Sequence, residues 1–247
     1  MLSAVLPPVL ARADGCAFAP QGEGRVAEIV DGRSFRLTDG REIRLAGIEP
    51  VRSATAAIDG AAVLTRILAG QDVTLRGADD APDRYGRQPA FVFLASSNAL
   101  VQSLLLTDGA ALVSGDTADK ACEGILIQSE TEARKVKKGL WSGAGVIKNA
   151  EIPDNILAGI GQFTVVEGRV LSVRQAGTTT YLNFGRNWTR GFAVTISRRT
   201  MPAVETAGLA LKSLENRRIR VRGWVEARGG PRIELLRAEQ LEVLDEN

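Results

Sequence analysis

Histidine is absent from all 247 residues. That excludes Ser-His-Asp and Cys-His catalysis, His-ligated zinc and imidazole general bases. Any chemistry must run on Asp, Glu, Arg, Lys, Tyr or a thiol. Thiols are scarce too, with Cys16 and Cys122 the only cysteines. In an oxidising compartment they can pair with each other, and closing so long a loop contributes roughly 4–5 kcal/mol in the chain-entropy model. The alternative is two unrelated buried thiols. Long apolar runs are missing as well: beyond the N-terminal stretch none approaches membrane-spanning length, so no transmembrane segment is expected. Nor does one charge dominate, with 31 basic residues against 29 acidic ones.

What is present is uneven in its charge. Residues 169–237 hold 14 Lys/Arg and 4 Asp/Glu, whereas residues 14–150 hold 16 basic and 18 acidic residues. A basic partner surface is therefore expected in the C-terminal third. The hydrophobic fraction of 45% and charged fraction of 24% suit a folded chain of one large or two small domains. At the N-terminus a short apolar run ends in Ala11-Arg12-Ala13, which fits a signal-peptidase site before Asp14. Residues 1–13 are thus read as a signal peptide and the mature protein as periplasmic or secreted, although Pro7-Pro8 interrupts the run and no basic segment precedes it.

Residues 28–37 and 42–48 alternate as strands around the turn Thr38-Asp39-Gly40. Residues 53–68 carry apolar positions at helical spacing and stop at Gly70. Residues 72–76 and 89–94 read as strands, 98–106 as a short helix and 118–138 as a long one. The long helix has Cys122, Leu126, Ser129, Ala133, Val136 and Leu140 on one stripe, with Gly139 as its cap. After a break near 142–155 the pattern becomes β-rich: five short strands with one helix between the third and fourth, the pattern of an OB-like Greek-key barrel. The first half has a similar barrel followed by helices. Gly24-Arg25-Val26 opens the first barrel and Gly168-Arg169-Val170 the second, an echo of three residues. The expectation is an α+β, mainly β chain: an OB-like five-stranded barrel with helices over 14–149, then a smaller OB-like barrel over 150–247.

Carboxylates and arginines crowd into 28–52, as metal-assisted phosphodiester cleavage requires. A hard cation needs several oxygen ligands, an attacking water needs a base, and the phosphate needs cationic donors. The segments "VDGRSFRL", "IRLAGIEP", "DRYGR" and "EARKVKKGLW" follow one another at the spacings of the staphylococcal-nuclease-like (thermonuclease) family, which this half of the chain resembles. The tail, from "VEGRV" to "EQLEV", is similar to an extra domain found on some secreted bacterial members. Those members often carry cysteines at places that match Cys16 and Cys122, so the resemblance implies a disulfide between them.

The resemblance also maps a site. The family's "DGDT" turn corresponds to Asp31-Gly32-Arg33-Ser34, so Asp31 is kept while a calcium-ligand aspartate has become Arg33. Arg44, Glu49 and Arg87 occupy the family's catalytic or ligand positions, with Asp31 and Glu49 as the remaining metal ligands. Tyr85, in Asp83-Arg84-Tyr85-Gly86-Arg87, is kept beside them. The position of the general base falls on Val51 or Arg52, and neither is a base. Two unit charges about 5 Å apart interact by roughly 3 kcal/mol at an effective dielectric of 20, so Arg33 would repel a divalent cation as well as replace a ligand. The implied protein is a catalytically degenerate nuclease-fold chain with no cofactor. It would bind nucleic acid or a phosphorylated ligand through Arg33, Arg52, Tyr85 and a row of Arg218, Arg220 and Arg222 on one strand face. Tyr181, Phe184, Trp188 and Trp224 lie among Arg186, Arg190, Arg220 and Arg222, either as a stacking surface for single strands or as ordinary core. Two other readings stay open: an active calcium-dependent nuclease with rearranged ligands, and a protein–protein interaction module.

Overall fold

Strands that alternate apolar and polar residues bury one face, and a sheet curled on itself buries that face without leaving an edge. The computed structural model describes residues 16–50, 58–117, 119–143, 145–187 and 189–244, and in it the first half solves the problem this way. Strand β1 (Ala19–Asp31) is followed by β2 (Ser34–Leu37), β3 (Glu42–Leu45) and the short β4 (Ile48–Glu49). Helix α1 (Gly60–Leu68) leads to β5 (Asp72–Gly77), β6 (Arg87–Leu94), helix α2 (Val101–Thr107), β7 (Leu112–Val113) and helix α3 (Lys120–Lys135). The closed barrel runs β1-β2-β3-β6-β5, with β3 and β6 parallel. Register shifts at Pro20/Gly22, Val26/Glu28 and Ile29/Asp31 bend β1, which lets it serve both β5 and β2. Phe35, Ile43, Leu45, Leu75 and Phe93 fill the interior, and Leu64, Leu105 and Leu126 bring the three helices onto the same core.

Polar residues set where the helices begin. Asp59 accepts a hydrogen bond from the Ala61 N–H at 2.9 Å, and Asp119 one from the Cys122 N–H at 2.9 Å. The expected end of α3 shifts. Its C-cap is Val136, and Lys137 takes the left-handed conformation with φ 53°. Gly139 instead opens a 3-10 turn where the backbones of 108–109 and 138–139 touch; a Cβ there would collide with the Asp108 carbonyl. Val136, expected on the buried stripe, is 73% exposed. Cys16 and Cys122 form a buried disulfide that fastens the start of the barrel to the first turn of α3.

The second half repeats the strand order. Its elements are β8 (Ile147–Asn149), α4 (Pro153–Leu157), β9 (Phe163–Arg169), β10 (Ser172–Ala176), β11 (Thr179–Asn183), β12 (Ala193–Ser197), α5 (Met201–Thr206), β13 (Arg218–Arg228), β14 (Gly230–Glu234) and β15 (Leu241–Val243). The sheet runs β10-β11-β12-β14-β13-β9-β8, with β12 and β14 parallel and β15 added on β13. Strands β9 and β10 are separated only by Val170 and Leu171, so one nearly continuous run pairs with β13 and then with β11, as β1 does with β5 and β2. Val166, Leu182, Phe192, Ile196, Ile219, Val221 and Ile233 fill it. Strand β8 precedes the expected boundary at 149/150 yet pairs with β9. A third cluster, Leu112, Ala133, Leu140, Trp141 and Val165, joins the two halves. No helix among the described residues is long and apolar enough to cross a membrane.

Candidate functional site

Residues 28–37 alternate straight through, yet the chain turns inside them. The Asp31 carboxylate accepts the Arg33 N–H at 2.8 Å, folding Asp31-Gly32-Arg33 into a tight turn between β1 and β2. That turn sends Arg33 inward, where it is 9% exposed. Arg44 arrives from β3, paired in register with Ser34. Glu49 arrives on β4, held by pairing with Leu112 of β7, and is 5% exposed. The three side chains meet. Glu49 Oε2 forms an ion pair with Arg33, and its Oε1 accepts from Arg44 Nη2 at 3.1 Å. Both carboxylate oxygens are thus committed to guanidinium groups, and two cations share one anion.

Arg87 comes from the start of β6, and the loop before it is built around Asp83. One Asp83 oxygen accepts the backbone N–H groups of Tyr85 and Arg87 at 2.9 and 3.1 Å. The other receives Arg87 Nε and Nη2 at 3.1 and 2.8 Å. Burial alone would push the Asp83 carboxyl up, but these donors, led by the Arg87 side chain, bring it down to about 2. Arg87 is raised in turn, first by its hydrogen bond to Asp83 and also by the charges of Asp31 and Glu42. Tyr85 is 66% exposed beside them, with the guanidinium carbons of Arg84 and Arg87 4.7 and 5.1 Å from its ring centre.

These residues do not fit a calcium ion. Such a cation takes six to eight oxygen ligands, whereas one Asp31 oxygen is engaged by a backbone N–H and both Glu49 oxygens by arginines. Among the described residues no three Asp, Glu, Cys or His side chains converge on a point that could hold a metal. The cationic half of the site has spare capacity, because Arg33 Nε and Arg44 Nε are buried without a hydrogen-bond partner among the described residues. Arg52, expected here, lies outside the described residues.

The expected arginine track on β13 requires correction. Arg218, Arg220 and Arg222 do share a face, but α3 and β7 of the first half cover its inner end. Arg222 is 1% exposed; its Nη1 donates to Glu130 Oε2 at 3.1 Å and to the Val113 carbonyl at 3.1 Å, and its Nη2 pairs with Glu242. Arg220, 8% exposed, joins Glu242 and Glu167 at 2.9 and 3.1 Å. Only Arg218 is exposed, and it too pairs with Glu167. Arg222 is therefore part of the junction between the barrels, while Arg220 is held by carboxylates of its own barrel. The aromatic set divides as well: Phe184 is core against Phe192, Tyr181 lies under Arg232, and Trp224 is half exposed against Phe163. Trp188 lies outside the described residues.

Glu130 and Glu242, which complete the junction, were missed by the sequence reading. Glu130 follows Leu126 by four residues, so it falls on the buried stripe of α3, and a carboxylate there is a signal that a cation must reach it.

No curated protein matches the chain. Residues 42–143 match the family model described as staphylococcal nuclease homologue. The match takes in Arg44, Glu49, Asp83, Tyr85 and Arg87 and begins after Asp31 and Arg33. Residues 42–143 are therefore a domain of the staphylococcal nuclease homologue family, and the first barrel is a nuclease-like barrel.

Proposed function

We propose that this nuclease-fold protein does not hydrolyse phosphodiesters and instead binds a phosphate-bearing chain, above all single-stranded nucleic acid, in an oxidising compartment outside the cytoplasm. The observation that carries the first part is Glu49. The one buried carboxylate at a ligand position is shared by Arg33 and Arg44, so a metal would have to displace two guanidiniums to reach it. The surplus positive charge of that trio, its two unpartnered buried Nε–H groups and the exposed Tyr85 between two arginines support an anionic ligand with stacking bases. The buried disulfide suits export, since such bonds persist outside the reducing cytosol.

The test is fluorescence anisotropy with a labelled single-stranded oligonucleotide. Binding should weaken steeply as salt rises and weaken several-fold with Arg44→Ala or Tyr85→Ala. Failure to bind any oligonucleotide at low ionic strength would reject the ligand class and favour an interaction module.

A further inference from the structure

A second site lies away from the nuclease-like centre, where α3 faces the C-terminal barrel. A groove of about 320 Å³ runs there, lined among others by Lys120, Glu123, Ile127, Leu209, Glu239 and Leu241. That volume is at the small end for ligand sites. Its walls are largely apolar, and it opens beside Gly124, whose missing Cβ would meet nothing within 4 Å.

Glu123 is the anomaly in this groove. It is 3% exposed, and neither carboxylate oxygen has a hydrogen-bond partner among the described residues. A buried carboxylate without a partner is costly. Thr117 is near enough to lower the Glu123 carboxyl, but among the described residues its buried hydroxyl has no hydrogen-bond partner. The other charged groups around it do not resolve the deficit. Arg222 on β13 is committed to Glu130 and Glu242. Asp116 before the helix and Glu239 on the facing 3-10 turn are like charges that disfavour ionisation. Lys120, one turn back on α3, makes no ion pair with Glu123 or Glu239 among the described residues. Glu242 is saturated by Arg220 and Arg222.

We propose that this groove binds a small amphipathic organic cation, an ammonium or guanidinium on a short apolar stem, whose charged head pairs with Glu123 while its stem lies against Ile127, Leu209 and Leu241. Too few free carboxylates converge for a metal, whereas a single ionic head over apolar walls matches what is present. Burial pushes the Glu123 carboxyl up to about 7, against the lowering influence of Thr117 and Arg222. Binding must therefore expel a proton below that pH.

The probe is n-butylguanidinium, with neutral n-butylurea as its isostere, titrated calorimetrically into the whole chain. The cation should bind at about pH 8 and the urea should not, with affinity falling about tenfold per pH unit below 7 and proton release growing over the same range. Glu123→Gln should abolish binding while the protein stays folded. Should that variant fail to fold, Gly124→Leu, which fills the groove mouth without touching the core, should abolish it instead. Several results would overturn the proposal: no binding of the cation at millimolar concentration, equal binding of the urea, undiminished binding by a folded variant, or capture of arginine-bearing peptides without the free cation.

Discussion

The two barrels share a strand order but use their arginines in opposite ways. In the first, β1 leaves β5 and joins β2 at Gly24-Arg25-Val26; in the second, the chain leaves β13 and joins β11 at Gly168-Arg169-Val170. The three-residue echo thus marks one structural point twice. Glycine fits both, because a Cβ would strike Leu37 in the first and Ala150 in the second. Above that common frame, Arg33 and Arg44 meet one glutamate, leaving surplus positive charge. Arg222 meets two glutamates in the junction and is sealed there. An arginine's role is set by what covers its strand.

The comparison breaks most visibly at Arg222. Arg222→Leu leaves the buried Glu130 with Arg134 at 3.8 Å as its ion-pair partner among the described residues and should cost about 3–5 kcal/mol in denaturant unfolding. Reducing the Cys16–Cys122 disulfide comes next, at about 2–5 kcal/mol, with the loss read from the shift in thermal midpoint. The matching change in the first barrel, Arg33→Leu, should cost less, about 1–2 kcal/mol, because Arg44 still holds Glu49. Glu49→Gln should tighten oligonucleotide binding several-fold by releasing both guanidiniums, and unchanged affinity would separate this trio from ligand binding.

The titration effects are smaller and run in opposite directions. Glu123 is raised from 4.5 to about 7, so its contribution is greatest below 4.5 and declines as pH rises to 7. With no histidine to mask it, that decline should vanish in Glu123→Gln. Asp83 is lowered from 3.8 to about 2, so its contribution is present above 3.8 and lost as pH falls through 2. Acid unfolding of Asp83→Asn should lack that step.

Strand periods, turn residues and motif order made the mainly β, barrel-based fold legible in sequence. What escaped was tertiary. The alternation over 28–37 passes unbroken through a turn that the Asp31 side chain helps to fix. Lys137 takes the left-handed position directly after the helix, and Gly139, left-handed as well, serves two residues on where the backbone of 108–109 comes close. The Arg218, Arg220 and Arg222 face was identified correctly, but its cover comes from α3, distant in sequence. The signal was on α3 itself: Glu123 and Glu130, seven apart, flank Leu126 on its buried side.

The central claim is that the nuclease-like centre has lost hydrolysis because Arg33 and Arg44 hold Glu49. The direct measurement is digestion of denatured DNA by the whole chain with and without calcium. The account predicts no calcium-dependent cleavage above background. Robust calcium-dependent cleavage that disappears in Arg87→Ala would contradict it.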